Sequence, residues 1–399
     1  MLTILHPEVV PLINDLSTGL LPLLFGDESR TKLVVKAPKE VLLAAKVNNG
    51  FKLYVIPLVL SDRETIGLIS AFFDDEDEPL VIFTPLFKEE WIQNLLQALT
   101  SDALDIHLFD DHGRELLGYV SHLQCPSTTR NRLVDATLLS FDLALARSAH
   151  DQMARWFARR TPNDDLSAIV VTFVEALLAD DILILDARAD NHSYQGSAHF
   201  SFSQLVREEP GSFQERDIAQ LLHKVFSPEQ IYINPLRVTD REEITDVLVL
   251  TASRALLIQA KDSPNTEGVL RNPVGRKKAT TQKALFKAIR QVRGAVQYLR
   301  SMSPVKMIIG DNSVEADIAG REIRALIVVK ELFNDEYSVY SPPILALSED
   351  TAVPCIALDY RELHMYATNL SGEESFFKAF DRVFSYGSKT GEFPRLRIW

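Results

Sequence analysis

The stretch FQERDIAQLLHKVFSPEQIYINPLRVTDREEITDVLVLTASRALLIQAKD, residues 213–262, decides how this chain is read. Residues 244–250 and 255–261 are two runs of strand formers joined by a short Thr-Ala-Ser-Arg connection, and such runs pair as a hairpin. With the turn centred between Ala252 and Ser253, opposed residues have numbers summing to 505, which sets Asp246 against Gln259. Paired side chains lie about 5 Å apart at Cβ. Lys261 shares the face of Gln259 because it lies two residues on. An acid, an amide oxygen and an ammonium are therefore expected together at the end of an apolar ribbon. Glu215 opens a helix in which Ile218, Leu222 and Val225 follow on one side, so its side chain is expected to face the same sheet. Ser212 and Glu215 also have the spacing of a capping box, a purely structural use for that glutamate.

These residue types suit phosphodiester hydrolysis, which needs a hard cation against the charge on the phosphoryl oxygens and a group that orients water. Asp246, the side-chain oxygen of Gln259, the backbone carbonyl of Ala260 and, directly or through water, Glu215 are oxygen donors of the kind Mg²⁺ takes, with Mn²⁺ as a substitute. Lys261 is placed to hold the attacking water.

The layout of Glu215, then Asp246 on one strand, then Gln259-Ala260-Lys261 on the next resembles the PD-(D/E)xK restriction-endonuclease-like superfamily. It is most similar to the Mrr-type branch and the nuclease-related domain, in the QxK form, over residues 211–329. The usual Glu of the xK motif is Gln259 here, and Ile244-Thr245 stands where a Gly or a Glu-Ile often precedes the acid. The resemblance implies a three-layer αβα domain with a mixed sheet; with the α+β and helical N-terminal module that the residue pattern before it predicts, the chain is expected to be of the α/β class. The resemblance also implies an endonuclease that cleaves DNA with Mg²⁺ through Glu215, Asp246, Gln259 and Lys261, in a restriction or phage-defence setting. Gln291, on the helix after the motif, would assist the site. The alternative is an inactive nuclease-like fold acting as a DNA-binding or assembly module.

The whole chain carries a formal charge of −13, so any nucleic-acid surface must be local. From Arg271 to Arg300 there are nine basic residues and no Asp or Glu. Leu285, Ile289, Val292, Val296 and Leu299 give this segment a buried helical stripe, which leaves Lys283, Lys287, Arg290 and Arg293 on the exposed side to meet phosphates, with Arg276, Lys277 and Lys278 ahead of them.

Outward from there, 399 residues with 46% hydrophobic and 24% charged side chains predict a globular chain of two or three domains. The divisions expected are 1–125 (an α+β accessory domain, for recognition, regulation or homo-oligomerisation), 126–205 (a helical connector) and 206–399 (the nuclease-like domain). Within the first, KLVV, EVLLAAKV, FKLYVIPLVL and PLVIF read as strands and EEWIQNLLQAL as a helix. LDIHLFDDHGRELLGYV reads as a hairpin. Residues 133–159 and 166–179 read as helices and 191–204 as a linker. The acidic tract 74–78 reads as a solvated turn, and His192 and His199 as surface residues. The two cysteines form no CxxC pair, and the start has neither a basic leader nor a long uncharged apolar run. A cytoplasmic chain without a membrane span is therefore expected. No G-x-S-x-G, G-x-G-x-x-G or P-loop motif occurs.

Overall fold

Along one strand of the first half, Phe51, Leu53 and Val55 enter one core while Tyr54, Ile56 and Leu58 enter another, so both faces of that strand are covered. The structure, a computed structural model, describes residues 1–26, 30–75 and 79–395. Its helices are α1 (Leu2–Leu5), α2 (Val10–Asp15), α3 (Lys39–Val47), α4 (Glu90–Leu99), α5 (Ser127–Val134), α6 (Leu143–Phe157), α7 (Pro162–Leu166), α8 (Gly211–Leu222), α9 (Glu267–Leu270), α10 (Val274–Ser301), α11 (Tyr337–Thr351), α12 (Tyr360–Asn369) and α13 (Gly372–Thr390). The strands of the first half are β1 (Gly19–Leu23), β2 (Lys32–Lys36), β3 (Gly50–Leu60), β4 (Arg63–Phe72), β5 (Leu80–Pro85), β6 (Ala103–Phe109), β7 (Glu115–Gln124) and β8 (Ile169–Ala176). A short pair, β9 (Ile184–Asp186) and β10 (Ser201–Ser203), connects to the second half. There follow β11 (Ile231–Ile233), β12 (Leu236–Arg237), β13 (Val247–Leu250), β14 (Arg254–Lys261), β15 (Val305–Ile309), β16 (Asn312–Ala316), β17 (Glu322–Val329) and β18 (Cys355–Asp359).

The largest sheet has eight strands in the order β1-β2-β6-β7-β8-β3-β4-β5, and it curls until its outer strands β1 and β5 touch. Helix α3 joins the core on one side of β3, and α6 covers the other through Ala149 and Met153. This nearly closed sheet overturns the restriction-endonuclease-like resemblance, which implied an open three-layer αβα sheet as the frame of the fold. The physical reason lies in β8. Residues 166–179 were expected to be helical, yet Ile169-Val170-Val171-Thr172-Phe173-Val174 is rich in β-branched and aromatic side chains. The strand pairs with β7 on one side and β3 on the other, and so merges what would be two separate sheets into one. The family assignment, and the restriction or phage-defence setting attached to it, fall with the fold.

Other elements also differ from expectation. Residues 40–47 form α3 rather than a strand, starting after Pro38 and carrying the helix-favouring Leu42, Leu43, Ala44 and Ala45. The helix expected over 133–159 is two helices, because the Asp142 side chain caps a new start by accepting from the amides of Ala144 and Leu145. His192 is completely buried, its ring against Tyr194, while His199 is exposed. In the acidic tract Asp74 pairs with Lys277 at 2.6 Å, and residues 76–78 lie outside the described residues.

The second half is built on a five-stranded mixed sheet, β11-β13-β14-β17-β18. β11, β13 and β14 are antiparallel, and β14, β17 and β18 run parallel. Buried residues of α8 and α10 to α13 share one core with this sheet. The separate β12-β15-β16 sheet takes the segment VKMII. Among the described residues no helix is long and apolar enough to cross a membrane.

Candidate functional site

Val247 pairs with Ile258 and Leu248 with Leu257, the register whose numbers sum to 505, and it brings Asp246 against Gln259 at the open end of the hairpin. The ribbon is held there by the Thr245 hydroxyl, which donates to the carbonyl of Ile258 at 2.7 Å. β14 lies between β13 and β17 and is apolar apart from its ends and Gln259, so every polar group at this point needs a partner.

Asp246, 4% exposed, is where those partners converge. Its Oδ2 accepts from the Gln259 amide, from the backbone N–H of Ala260 at 2.5 Å and from the Lys261 ammonium at 3.2 Å. Lys261 also donates to the carbonyl of Ala260 at 2.5 Å. Glu215, one turn into α8, is not in a capping box: the helix begins at Gly211, which puts Ser212 inside it, and no side chain caps its start. The Glu215 carboxylate instead accepts from the Asn234 amide at 3.0 Å. Burial, and beyond it the charge of Asp246, raises the Glu215 pKa against the pull of Asn234 and Lys261.

Glu243 and Asn234, not expected from the sequence, also stand at this site. Glu243 belongs to an exposed stretch, yet its carboxyl turns inward onto Asp246. Burial of that carboxyl, the hydrogen bond to Asp246 and the charges of Asp246 and Glu215 push its pKa up to about 8. Glu243 therefore keeps its proton at neutral pH. The spacing Glu243, Asp246 was open to inspection, but Asp240 to Glu243 reads as a solvated turn with no periodicity to point one member inward.

The other assigned residues divide. Ala260 and Gln259 stand in the cluster. Gln291 lies on α10 with its amide oxygen buried and unpartnered among the described residues. Lys277 and Lys278 are engaged with Asp74 and Asp335. Arg276, Lys283, Lys287 and Arg290 are exposed along α10, spaced seven, four and three residues apart, which is one face of a helix. The opposite face of α10 packs on β14 and β17, the strand bearing Gln259 and its parallel neighbour.

The donor set is all oxygen: the carboxyls of Asp246, Glu243 and Glu215, the amide oxygen of Gln259 and the Ala260 carbonyl. Among the described residues no three His, Cys, Asp or Glu side chains stand close enough to hold a metal unaided. Oxygen donors are the kind Mg²⁺ takes, and it binds through one or two carboxylates and keeps several waters. Any cation held by Glu243 would have to displace the proton that Glu243 carries. Mg²⁺ affinity is therefore expected to rise with pH up to about 8 and then level, and Glu243→Gln should flatten the rise; calorimetric titration at several pH values measures it. The same raised pKa stabilises the fold fully below the ordinary carboxylate range, and this contribution is lost as pH climbs through about 8.

Behind the cluster, α8 is anchored to the first half of the chain. Asp217, two residues after Glu215, accepts from Arg114 at 2.9 Å and Lys39 at 3.4 Å, and both cations also pair with Asp110. Against the effect of burial, Arg114 and Lys39 hold Asp217 well below the usual carboxylate range and Asp110 at about 2. Comparison with known protein families, curated proteins and solved structures finds no match to this chain.

Proposed function

We propose that the second half of the chain hydrolyses phosphodiester bonds of DNA with the help of a divalent cation, without membership of the restriction-endonuclease-like family. The observation that carries this reading is the meeting of Asp246, Glu243, Gln259 and Lys261 at one strand end, with Glu215 coupled to it electrostatically. Asp246 and Glu243 would hold Mg²⁺ or Mn²⁺, with the Gln259 and Ala260 oxygens beside them. The cation would supply positive charge at the phosphoryl oxygens. Lys261 orients the attacking water and offsets anionic charge on the phosphate. As the water oxygen bonds to phosphorus, its proton passes to Glu215, whose proton affinity burial has raised; the bond to the leaving sugar oxygen breaks, and that oxygen takes a proton from solvent water.

The unpaired cations on α10 support a nucleic-acid substrate, since a row of side chains over about 21 Å of helix can follow a phosphate backbone. Replacing Lys283, Lys287 and Arg290 together by Ala is expected to weaken DNA binding and to reduce the slope of log affinity against log salt by about 2 to 3. Filter binding across a salt series checks this.

One observation favours a second reading, a DNA-binding module without hydrolysis: Asp246 Oδ2 already accepts from three protein donors, a satisfied buried network. Incubation of the purified chain with plasmid and with single-stranded DNA, in Mg²⁺ and in Mn²⁺, separates the two. Cleavage supports the first; intact DNA bound by the protein supports the second.

A further inference from the structure

A cavity of about 140 Å³ lies between the two halves of the chain, walled by Glu40 and Asp111 from the first and by Arg207, Gln214, Asp262 and Glu331 from the second. Several charges on its wall are already paired: Glu40 with Lys330 and Asp359 with Arg395. Others are not. Arg207 is 6% exposed and braced over the Phe213 ring; its charge acts on Glu40 and Asp262, yet its Nε and Nη1 have no hydrogen-bond partner among the described residues. Gln214 is 4% exposed and its Oε1 is likewise unpartnered. The carboxyls of Asp111 and Glu331 receive no protein hydrogen bond among the described residues. Burial first, and neighbouring carboxylates second, raise both to about 7.

The unmet groups are of two kinds: a guanidinium that calls for an anion, and carboxyls with an amide oxygen that call for a charged N–H donor. A metal ion would answer only the second, and no three acids converge to hold one among the described residues. The volume is close to that of cavities that admit a six-carbon ring, which suits a molecule of amino-acid size. We propose that this cavity is a binding site for a free α-amino acid, with its carboxylate on Arg207 and its ammonium against Asp111 and Glu331. Gln214 and Asp262 are the chain neighbours of Glu215 and Lys261, so the cavity lies one residue behind the candidate cleft on both elements. The inference does not rest on hydrolysis.

Calorimetric titration of the full chain at pH 8 with the proteinogenic amino acids one by one, without metal or DNA, tests it. At least one is expected to bind once per chain, and its carboxamide analogue to bind about tenfold or more weakly. Arg207→Gln and Asp111→Asn should each cause a similar loss. Failure of every amino acid to bind at millimolar concentration would overturn the proposal, as would equal affinity for acid and carboxamide, a comparison that needs no variant to fold.

Discussion

Asp246→Ala and Lys261→Ala are each expected to lower Mg²⁺-dependent plasmid cleavage by about a hundredfold or more, while affinity for DNA in EDTA stays near that of the unaltered chain. The two side chains touch at 3.2 Å and carry the two halves of the chemistry, cation seating and water orientation. Alanine at 246 also strands the Gln259 amide, the Ala260 N–H and the Lys261 ammonium in a buried setting, so loss of folding must be separated from loss of activity. Asp246→Asn does so: it keeps an oxygen acceptor in place but removes the charge, and it should fold yet cleave as poorly as the alanine variant. Cleavage by all three proteins at the original rate would refute the site.

The largest stability effect is expected at Asp217. Its side chain and those of Lys39 and Arg114 are nearly enclosed, and Asp110 opposite them is almost wholly so. Removing one carboxylate leaves two cations sharing the other in a low-dielectric interior, a loss of about 3–5 kcal/mol. Asp217→Ala should lower the urea midpoint for unfolding accordingly. Asp240→Ala, which breaks an open contact with Arg237, should cost less than about 1 kcal/mol. The sign with pH follows from the depressed carboxyls. The network contributes fully above the unfolded carboxylate range and is lost as pH falls through about 2, where Asp110 protonates. Equal midpoints for the two variants would show that the network does not join the halves.

The central hairpin was legible because it obeys local rules. Two runs of strand formers and a short turn fix a register, and the register alone sets Asp246 against Gln259. The α10 stripe was legible for the same reason, since a 3.6-residue period separates Leu285, Ile289 and Val292 from Lys283, Lys287 and Arg290. What could not be read were choices made by distant partners. Residues 169–176 carry an apolar run compatible with helix or strand, and only β7 and β3 on either side decide for the strand. Lys277 and Lys278 look like their neighbours on α10, and nothing local reveals that Asp74 and Asp335 take them. Glu243 is exposed like Arg241 and Glu242 before it, and nothing local reveals that its carboxyl stands against Asp246.

Hydrolysis at this site would require a divalent cation on Asp246 and Glu243, displacing the proton that Glu243 carries. Calorimetric titration of Mg²⁺ into the full chain at pH 8 should give one site per chain with release of a proton, and Asp246→Asn should abolish the heat. Identical titration curves for the two proteins, or no binding to the unaltered chain, would contradict it.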